Sequence, residues 1–398
     1  MLVRAREHFD FQLSAIHVNH RISPNADDWA SFCEHLCASH GIPCLIVPVS
    51  VPRDSGLGIE AAARAMRYSA ISSCHEDVVL FAHHRNDQAE TLMLQMLRGA
   101  GVHGLAAMPV VGQMNGGKTI LRPLLSFARS QLDEYAVNRN LNWVEDESND
   151  SLEFERNFLR HHVFPGLGER YPALVDNLAR SASNLGEAAE LLDDLAVQDS
   201  ISAIHDGRVN IQWLQALGLA RAKNLLRWWV KGRTGLAPAA AKLAEMMKQV
   251  NARIDAQICV DLEKFEFRRH KGWLYLEPKV MPSDYVVQWS GEEAITLPDG
   301  GVLTFKQVVG AGVLRSLMCS GVVTIQSRRG GEQFQPEGNR PRKTLKNLFQ
   351  DAEVPTWRRK RVPLVYVDQQ LVFVPLLGIG YDCEASKDEL GVLIEWDL

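Results

Sequence analysis

The chain has 398 residues, 46% of them hydrophobic and 23% charged. That length suits two or three domains of about 100–200 residues each, and no run approaches the roughly 18 apolar residues of a membrane span. Membrane, collagenous and disordered classes are excluded. The net charge of -5 conceals a segregation, because residues 322–362 hold ten Lys/Arg against four Asp/Glu, a net +6 inside an acidic protein.

The elements expected in chain order begin with half a helix, Met1 to Phe9, that no strand precedes. Strands at Leu13 to Val18, Cys44 to Val49 and Val78 to Ala82 alternate with helices over Asp27 to His40, Ile59 to Cys74 and about Asp87 to Arg98. Such alternation means a parallel sheet covered on both faces, with ligands beyond the carboxyl ends of its strands. The sheet thus starts in the middle of a βαβ unit, without its usual first strand and loop. Residues 151–197 and 220–250 have helical patterns, with Pro238 suited to a first helical turn. Strands are expected at Arg253 to Val260 and Trp273 to Pro278. Strand-like pieces between 281 and 317, broken by Pro298, Gly300 and Gly301, read as a connector. The last domain has a strand at 322–327, a helix from Leu345 to Asp351, and strands near 365–367 and 372–376.

Seven cysteines, at 33, 37, 44, 74, 259, 319 and 383, form no CxxC pair, which argues against a zinc ribbon or a disulfide framework. The amino terminus carries Arg4, Arg6, Glu7 and Asp10 and no apolar stretch, so the cytoplasm is the expected compartment. Gly112 to Thr119 matches GxxxxGK[ST], but a phosphate-cradling loop must enter a helix, and Pro123 follows too soon. A surface turn is the better reading.

The segment from Ala82 to Thr91 places His83, His84, Asp87 and Glu90 where a strand passes into a helix, able to bind a Mg-nucleotide and exchange protons. Asp87 and Glu90 also read as a capping box with Asp87 as N-cap, which leaves the role of Glu90 open and two adjacent histidines unexplained. Arg64 and Arg67 fall on nearly one helical face, either as an anion grip or as a solvated basic surface. His17 shares a strand face with Asn19, where a structural histidine is the plainer reading. After Glu145 to Asp150, in which Ser148 or Asn149 can cap a helix, Arg156 and Arg160 share a face at i and i+4.

Together HVNH (17–20), EAAARAMRY (60–68), LFAHHRNDQAET (80–91), LRGAGVHGLAAM (97–108), LRPLL (121–125), EDESND (145–150) and RNFLR (156–160) resemble the tRNA(Ile)-lysidine synthase family. Arg328 to Glu332, Phe334 to Pro336, Lys343 to Lys346, Leu348 to Asp351, Val354 to Trp357, Pro363-Leu364 and Leu376 to Gly380 resemble its carboxyl-terminal domain. The HHxxD segment alone suits any member of the PP-loop ATPase group, tRNA thiolation enzymes included, and the tail narrows the choice.

The resemblance implies an α/β fold: a Rossmann-like PP-loop ATPase sheet domain (1–185), a mainly helical middle tRNA-binding domain (186–290), a connector (291–317) and a small α+β tRNA-binding domain (318–398). It implies ATP-dependent ligation of free L-lysine to C2 of the first anticodon cytidine of tRNA(Ile), through an adenylated intermediate, with Mg2+. The residues implied are Arg64, Asp87 and Arg156 for catalysis, and His17, His83, His84, Asp87 and Glu90 for the nucleotide. Asp87 is also the choice for the metal and for the lysine ammonium. Arg67, Arg98, Arg122, Arg160, Arg340, Arg342, Lys343 and Lys346 are expected to hold substrate. A homodimer is left open.

One departure stands out: the family's glycine-rich SGGxDS loop occurs nowhere in the sequence. With the half helix at Met1, this implies that the true start lies upstream. The alternatives are real loss of the loop, leaving a tRNA-binding relic, or a different PP-loop tRNA-modifying ATPase.

Overall fold

The computed structural model describes residues 1–52, 58–114, 117–151, 154–252, 259–279, 284–338 and 341–397. It divides into two units, Met1–Asp199 and Ser200–Leu398.

The first unit opens with α1 (Leu2–Ala5), β1 (Ala15–Asn19), α2 (Ala26–Ser39), β2 (Cys44–Pro48) and α3 (Ile59–Ser72). β3 (Val78–Leu80), α4 (Arg85–Leu97), α5 (Val102–Leu105), β4 (Val111–Gln113), β5 (Thr119–Leu121) and α6 (Arg129–Asn138) follow. β1 pairs in parallel with β2, and β3 in parallel with β5, whose other edge takes β4 antiparallel. The sheet is therefore split: β1 and β3 are not paired with each other. Yet Ile16 and Val18 from one, and Val79 and Phe81 beside the other, pack on the same core of Ile71, Met114 and Ile120. An edge strand leaves a row of backbone donors and acceptors unpaired, and here two such edges border one apolar core.

Gly112 and Thr119 belong to the antiparallel pair β4–β5, so Thr119 enters a strand and not a helix, which rules out a phosphate-cradling loop; the turn expected here falls partly on 115–116, outside the described residues. The stretch expected to be helical, 151–197, is helical over much of its length from Glu155 onward, but broken. α7 (Glu155–Phe158) runs into a π turn (Leu159–Val163), then α8 (Phe164–Arg170) and the 30-residue α9 (Leu174–Ala203).

In the second unit, β6 (Ile204–His205), β7 (Arg208–Asn210), α10 (Ile211–Ala216), α11 (Leu219–Thr234), α12 (Ala240–Val250), β8 (Cys259–Leu262), β9 (Phe265–His270) and β10 (Trp273–Pro278) form the middle portion. The sheet order is β6-β7-β10-β9-β8. Leu225, Leu226, Trp229 and Val230 recur along one face of α11 and are all buried, the spacing of an amphipathic helix. The strand expected at 253–260 falls largely outside the described residues, and β9 is an element that the sequence pattern does not announce. Its turn, Lys271-Gly272, has φ of 45° and 81°, the doubly positive pair of a tight hairpin.

The remainder comprises β11 (Val286–Trp289), β12 (Ala294–Thr296), β13 (Val302–Val309), β14 (Val313–Leu314), α13 (Arg315–Ser320), β15 (Val323–Gln326), β16 (Gln333–Phe334) and β17 (Lys343–Thr344). α14 (Leu345–Asp351), α15 (Thr356–Arg359), β18 (Leu364–Val367), β19 (Gln370–Val374), β20 (Gly378–Ile379) and β21 (Leu390–Asp397) complete it. Two sheets, β11-β15-β18-β19-β20 and β12-β13-β21-β14, enclose a core that includes Leu303, Phe305, Ile325, Val365 and Val392. The stretch between 281 and 317 read as a connector supplies four of these strands, β11 to β14, and Pro298 to Gly301 is the turn between β12 and β13.

Candidate active site

The carboxyl end of β3 leads through Phe81, Ala82 and His83 into α4. The helix starts with a reciprocal cap in which His84 Nδ1 accepts from the Asp87 amide at 3.4 Å and Asp87 Oδ2 accepts from the His84 amide at 2.9 Å. The expected box is thus shifted by three residues: His84 is the N-cap and Asp87 the N3 residue. Capping accounts for one of the two histidines after all, and it frees Glu90 from that task.

Glu90 is 3% exposed. Its carboxylate accepts from Arg160 Nε and Nη2, both at 2.9 Å, and lies 3.1 Å from Arg156 Nε. A buried carboxylate is tolerable only when so paired and hydrogen-bonded. The π turn belongs to this arrangement, since such bulges concentrate at functional sites and here Arg156 and Arg160 both reach α4. Arg156 also donates from Nη2 to Thr91 Oγ1 at 2.8 Å, while its Nε is buried near Glu90 without hydrogen-bond alignment. Asp87 Oδ1 faces Arg160 at 3.7 Å, beyond hydrogen-bond range.

His83 stands against Phe81, ring centroids 5.4 Å apart, with Nδ1 buried and unpartnered. Burial pulls its pKa down to about 4, helped by the positive fields of Arg122, Arg156 and Arg64 and opposed by Asp87. Three guanidiniums from separate segments therefore act on one imidazole. Arg64 stacks on Tyr68 at 5.0 Å, whereas Arg122 is 7% exposed and donates to the Pro109 carbonyl at 2.8 Å.

Beyond the ends of β1 and β2 a cavity of about 480 Å³ is lined by His20, Arg21, Ile22, Val49, Val51 and Ile59, among others. This is where ligands gather on a parallel sheet, and none of the six is among the site residues expected from the sequence. Arg67 Nε donates to His20 Nε2 at 3.4 Å, an acceptor role that suits an imidazole whose pKa is lowered by burial and by Arg67 itself. Burial likewise lowers His17. Asn19, 4% exposed, donates to Asp27 Oδ1 at 2.7 Å, and its Oδ1 accepts from the Arg21 amide at 2.9 Å.

Other expected substrate residues stand elsewhere. Arg98 pairs with exposed Glu155 at the surface, and Lys343 with Asp351 at 2.9 Å. Arg342 and Lys346 are exposed, and Arg340 lies outside the described residues. Neither Ser148 nor Asn149 caps the helix that carries Arg156: α7 follows Phe154 without a side-chain cap, and both residues lie in a separate 3-10 turn (Glu147–Asp150) capped by Asp146, whose Oδ1 accepts from the Ser148 amide at 2.8 Å.

ATP suits this donor set: an apolar-rimmed cavity at the strand ends, converging guanidiniums, and an unpartnered His83 Nδ1. Among the described residues no group of three or more His, Cys, Asp or Glu could hold a metal. Mg2+ is usually bound through one or two carboxylates together with phosphates and needs no such cage.

Residues 1–167 match the family model of the PP-loop domain, 210–275 the TilS substrate binding domain and 323–396 the TilS substrate C-terminal domain. A tRNA(Ile)-lysidine synthase of Nitrosomonas europaea is 40% identical across 100% of this chain and 88% of its own length. The chain belongs to the tRNA(Ile)-lysidine synthase family. Its relatives of the same name in Coxiella burnetii and Aromatoleum aromaticum are 38% and 37% identical, over 99% and 100% of this chain and 90% and 93% of theirs. With the family fixed, the expected architecture, a PP-loop domain followed by helical and β-rich portions, is the one observed.

The depressed His83 pKa has a measurable consequence. Between about 6.5 and about 4 the unfolded chain takes up a proton that the folded protein refuses, so this contribution to stability is lost as pH falls through that window. Denaturant midpoints at about pH 7 and about pH 5 are expected to show a smaller acid loss for His83→Gln than for the wild type. Equal losses would mean that His83 is protonated in the folded protein.

Proposed function

We propose that this protein uses ATP to join the ε-amine of free L-lysine to C2 of the first anticodon cytidine of tRNA(Ile), in the cytoplasm. The observation that carries the reading is the cluster at the end of β3, where Asp87, Glu90, His83, Arg156 and Arg160 meet inside a chain whose identity to lysidine synthases is spread over its whole length.

The reaction passes through an adenylated cytidine with release of pyrophosphate, and then through displacement of AMP by lysine. Arg64, Arg122 and Arg156 supply fixed positive charge for the polyphosphate, at no cost of reorganisation during the step. Adenine and ribose are assigned to the cavity lined by His20, Ile22, Val51 and Ile59. Glu90 holds Arg156 and Arg160 in place, and Asp87 Oδ1 offers a carboxylate oxygen to a cation. Mg2+ would meet that oxygen in the first half-reaction, neutralising phosphate charge, and the lysine ammonium in the second. His83, at about 4, is too weak a base to deprotonate an ammonium; it serves as a neutral hydrogen-bond partner.

The sequence supplies no SGGxDS loop, so the phosphates lack that set of backbone N–H donors. The 398-residue chain is therefore expected to bind Mg-ATP far more weakly than micromolar in calorimetric titration. A version extended with an SGGxDS loop is expected to bind at micromolar concentrations and to incorporate lysine into tRNA(Ile). In that version Asp87→Asn and Arg64→Ala should each abolish incorporation with a nearly unchanged thermal midpoint. Tight ATP binding by the shorter chain would make the loop dispensable; early melting with full activity per folded molecule would make either residue structural.

The carboxyl-terminal basic segment is assigned to the tRNA backbone, in keeping with the division into domains expected from the sequence. Reversing charge at Arg340, Arg342, Lys343 and Lys346 is expected to weaken tRNA binding and to lower the slope of log affinity against log salt by about 0.7–0.9 for each phosphate no longer neutralised. Discrimination of the anticodon should change little. An unchanged slope would reduce the segment to a solvated face.

A further inference from the structure

Within the unit Ser200–Leu398 a second cavity of about 480 Å³ opens between the middle sheet and the α14–α15 segment. Arg208 of β7 and Trp273 and Tyr275 of β10 form one side, and Asp351, Glu353 and Arg358 the other. The Arg208 guanidinium lies over the Trp273 ring at 5.1 Å and within 5.9 Å of Tyr275, and Arg358 covers Tyr275 at 5.5 Å. Arg358 is anchored by buried Glu277 at 2.6 Å. Arg208 pairs with exposed Asp206 at 2.8 Å, and its Nε is buried without a hydrogen-bond partner.

Flat cations laid on aromatic rings form a platform for the π face of a nucleobase, an interaction that tolerates any sequence but needs an unstacked base. The acidic groups speak against a bare phosphate as occupant. Asp351 and Glu353 are each already paired with a lysine, at 2.9 and 2.6 Å, so this wall is close to neutral. Their oxygens can accept from exocyclic amino groups, as carboxylates do from cytosine N4. The α14–α15 wall belongs to the +6 segment, whose Arg342 and Lys346 remain exposed nearby in sequence. With the anticodon assigned to the site of the first unit, the unpaired nucleotides left for this unit are those of the single-stranded tRNA 3′ end, which carry amino groups on C and A.

We propose that this cavity receives an unpaired nucleotide of the tRNA 3′ end, its base stacked on the Arg208–Trp273 face. The proposal rests on the reading of the basic segment as a tRNA-binding surface. The test compares the affinity of the 398-residue chain for intact tRNA and for tRNA trimmed of its unpaired 3′ nucleotides, across a range of salt. Trimming should weaken binding about tenfold or more, the scale of one base–aromatic stack. Arg208→Ala should weaken binding of intact tRNA by a similar factor and of trimmed tRNA hardly at all. Arg208→Lys keeps the charge but not the plane and should behave as Arg208→Ala does; with an unaltered thermal midpoint it guards against a folding defect. Equal binding of intact and trimmed tRNA with a normal salt slope overturns the cavity proposal alone, as does full rescue by lysine. Absence of salt-dependent binding to either tRNA overturns the proposal together with the reading of the basic segment.

Discussion

A carboxylate that is 3% exposed, gripped by two guanidiniums more than 60 residues away in sequence, is the interaction on which the candidate site depends. Without Arg156 and Arg160, Glu90 would be an uncompensated buried charge. Without Glu90, two cations would be left close together beside His83 and Asp87. The pairing fixes the π turn against α4, and thereby sets the distances at which Arg156 acts on His83 and Arg160 on Asp87. Because Glu90 neutralises one guanidinium and Asp87 caps the helix through Oδ2, the site retains both positive charge for phosphates and one carboxylate oxygen for a cation. Those are the two demands of a reaction that handles ATP and then an ammonium.

The second constraint is backbone pairing. A doubly wound sheet places its ligands where strands end, and here the two half-sheets present such ends on either side of an unpaired edge. Side chains of β1 and those beside β3 already share a core, so hydrophobic packing holds the half-sheets in place although no ladder joins them.

Much of the first unit is legible because its signals are local. Alternating β-branched runs, helices stopped by Gly41 and Gly99, and the Pro123 that disqualifies the Walker-like string are all readable over a few residues. Capping is misassigned from the sequence because His84 is an uncommon N-cap and Asp87 fits either position of a box. The partnership of Glu90 with Arg156 and Arg160 has no local signature, since it spans more than 60 residues. For the same reason the burial of Arg122 cannot be read from LRPLL. In the second unit, β9 escapes notice because its hairpin turns on Lys271-Gly272, with a lysine where asparagine or aspartate would signal the turn. Of the pieces between 281 and 317, β13 and β14 pair with a strand up to 95 residues away, Val302 with Asp397, so that pairing leaves no mark on local periodicity.

The most direct measurement is the denaturant unfolding free energy of Glu90→Gln, which keeps the shape of the side chain and removes its charge. Breaking a buried pair costs about 3–5 kcal/mol, and both arginines remain partly exposed, so a loss of about 3 kcal/mol is expected. An unfolding free energy within about 0.5 kcal/mol of the wild type, the range of an ordinary surface substitution, would contradict the central place given to this carboxylate.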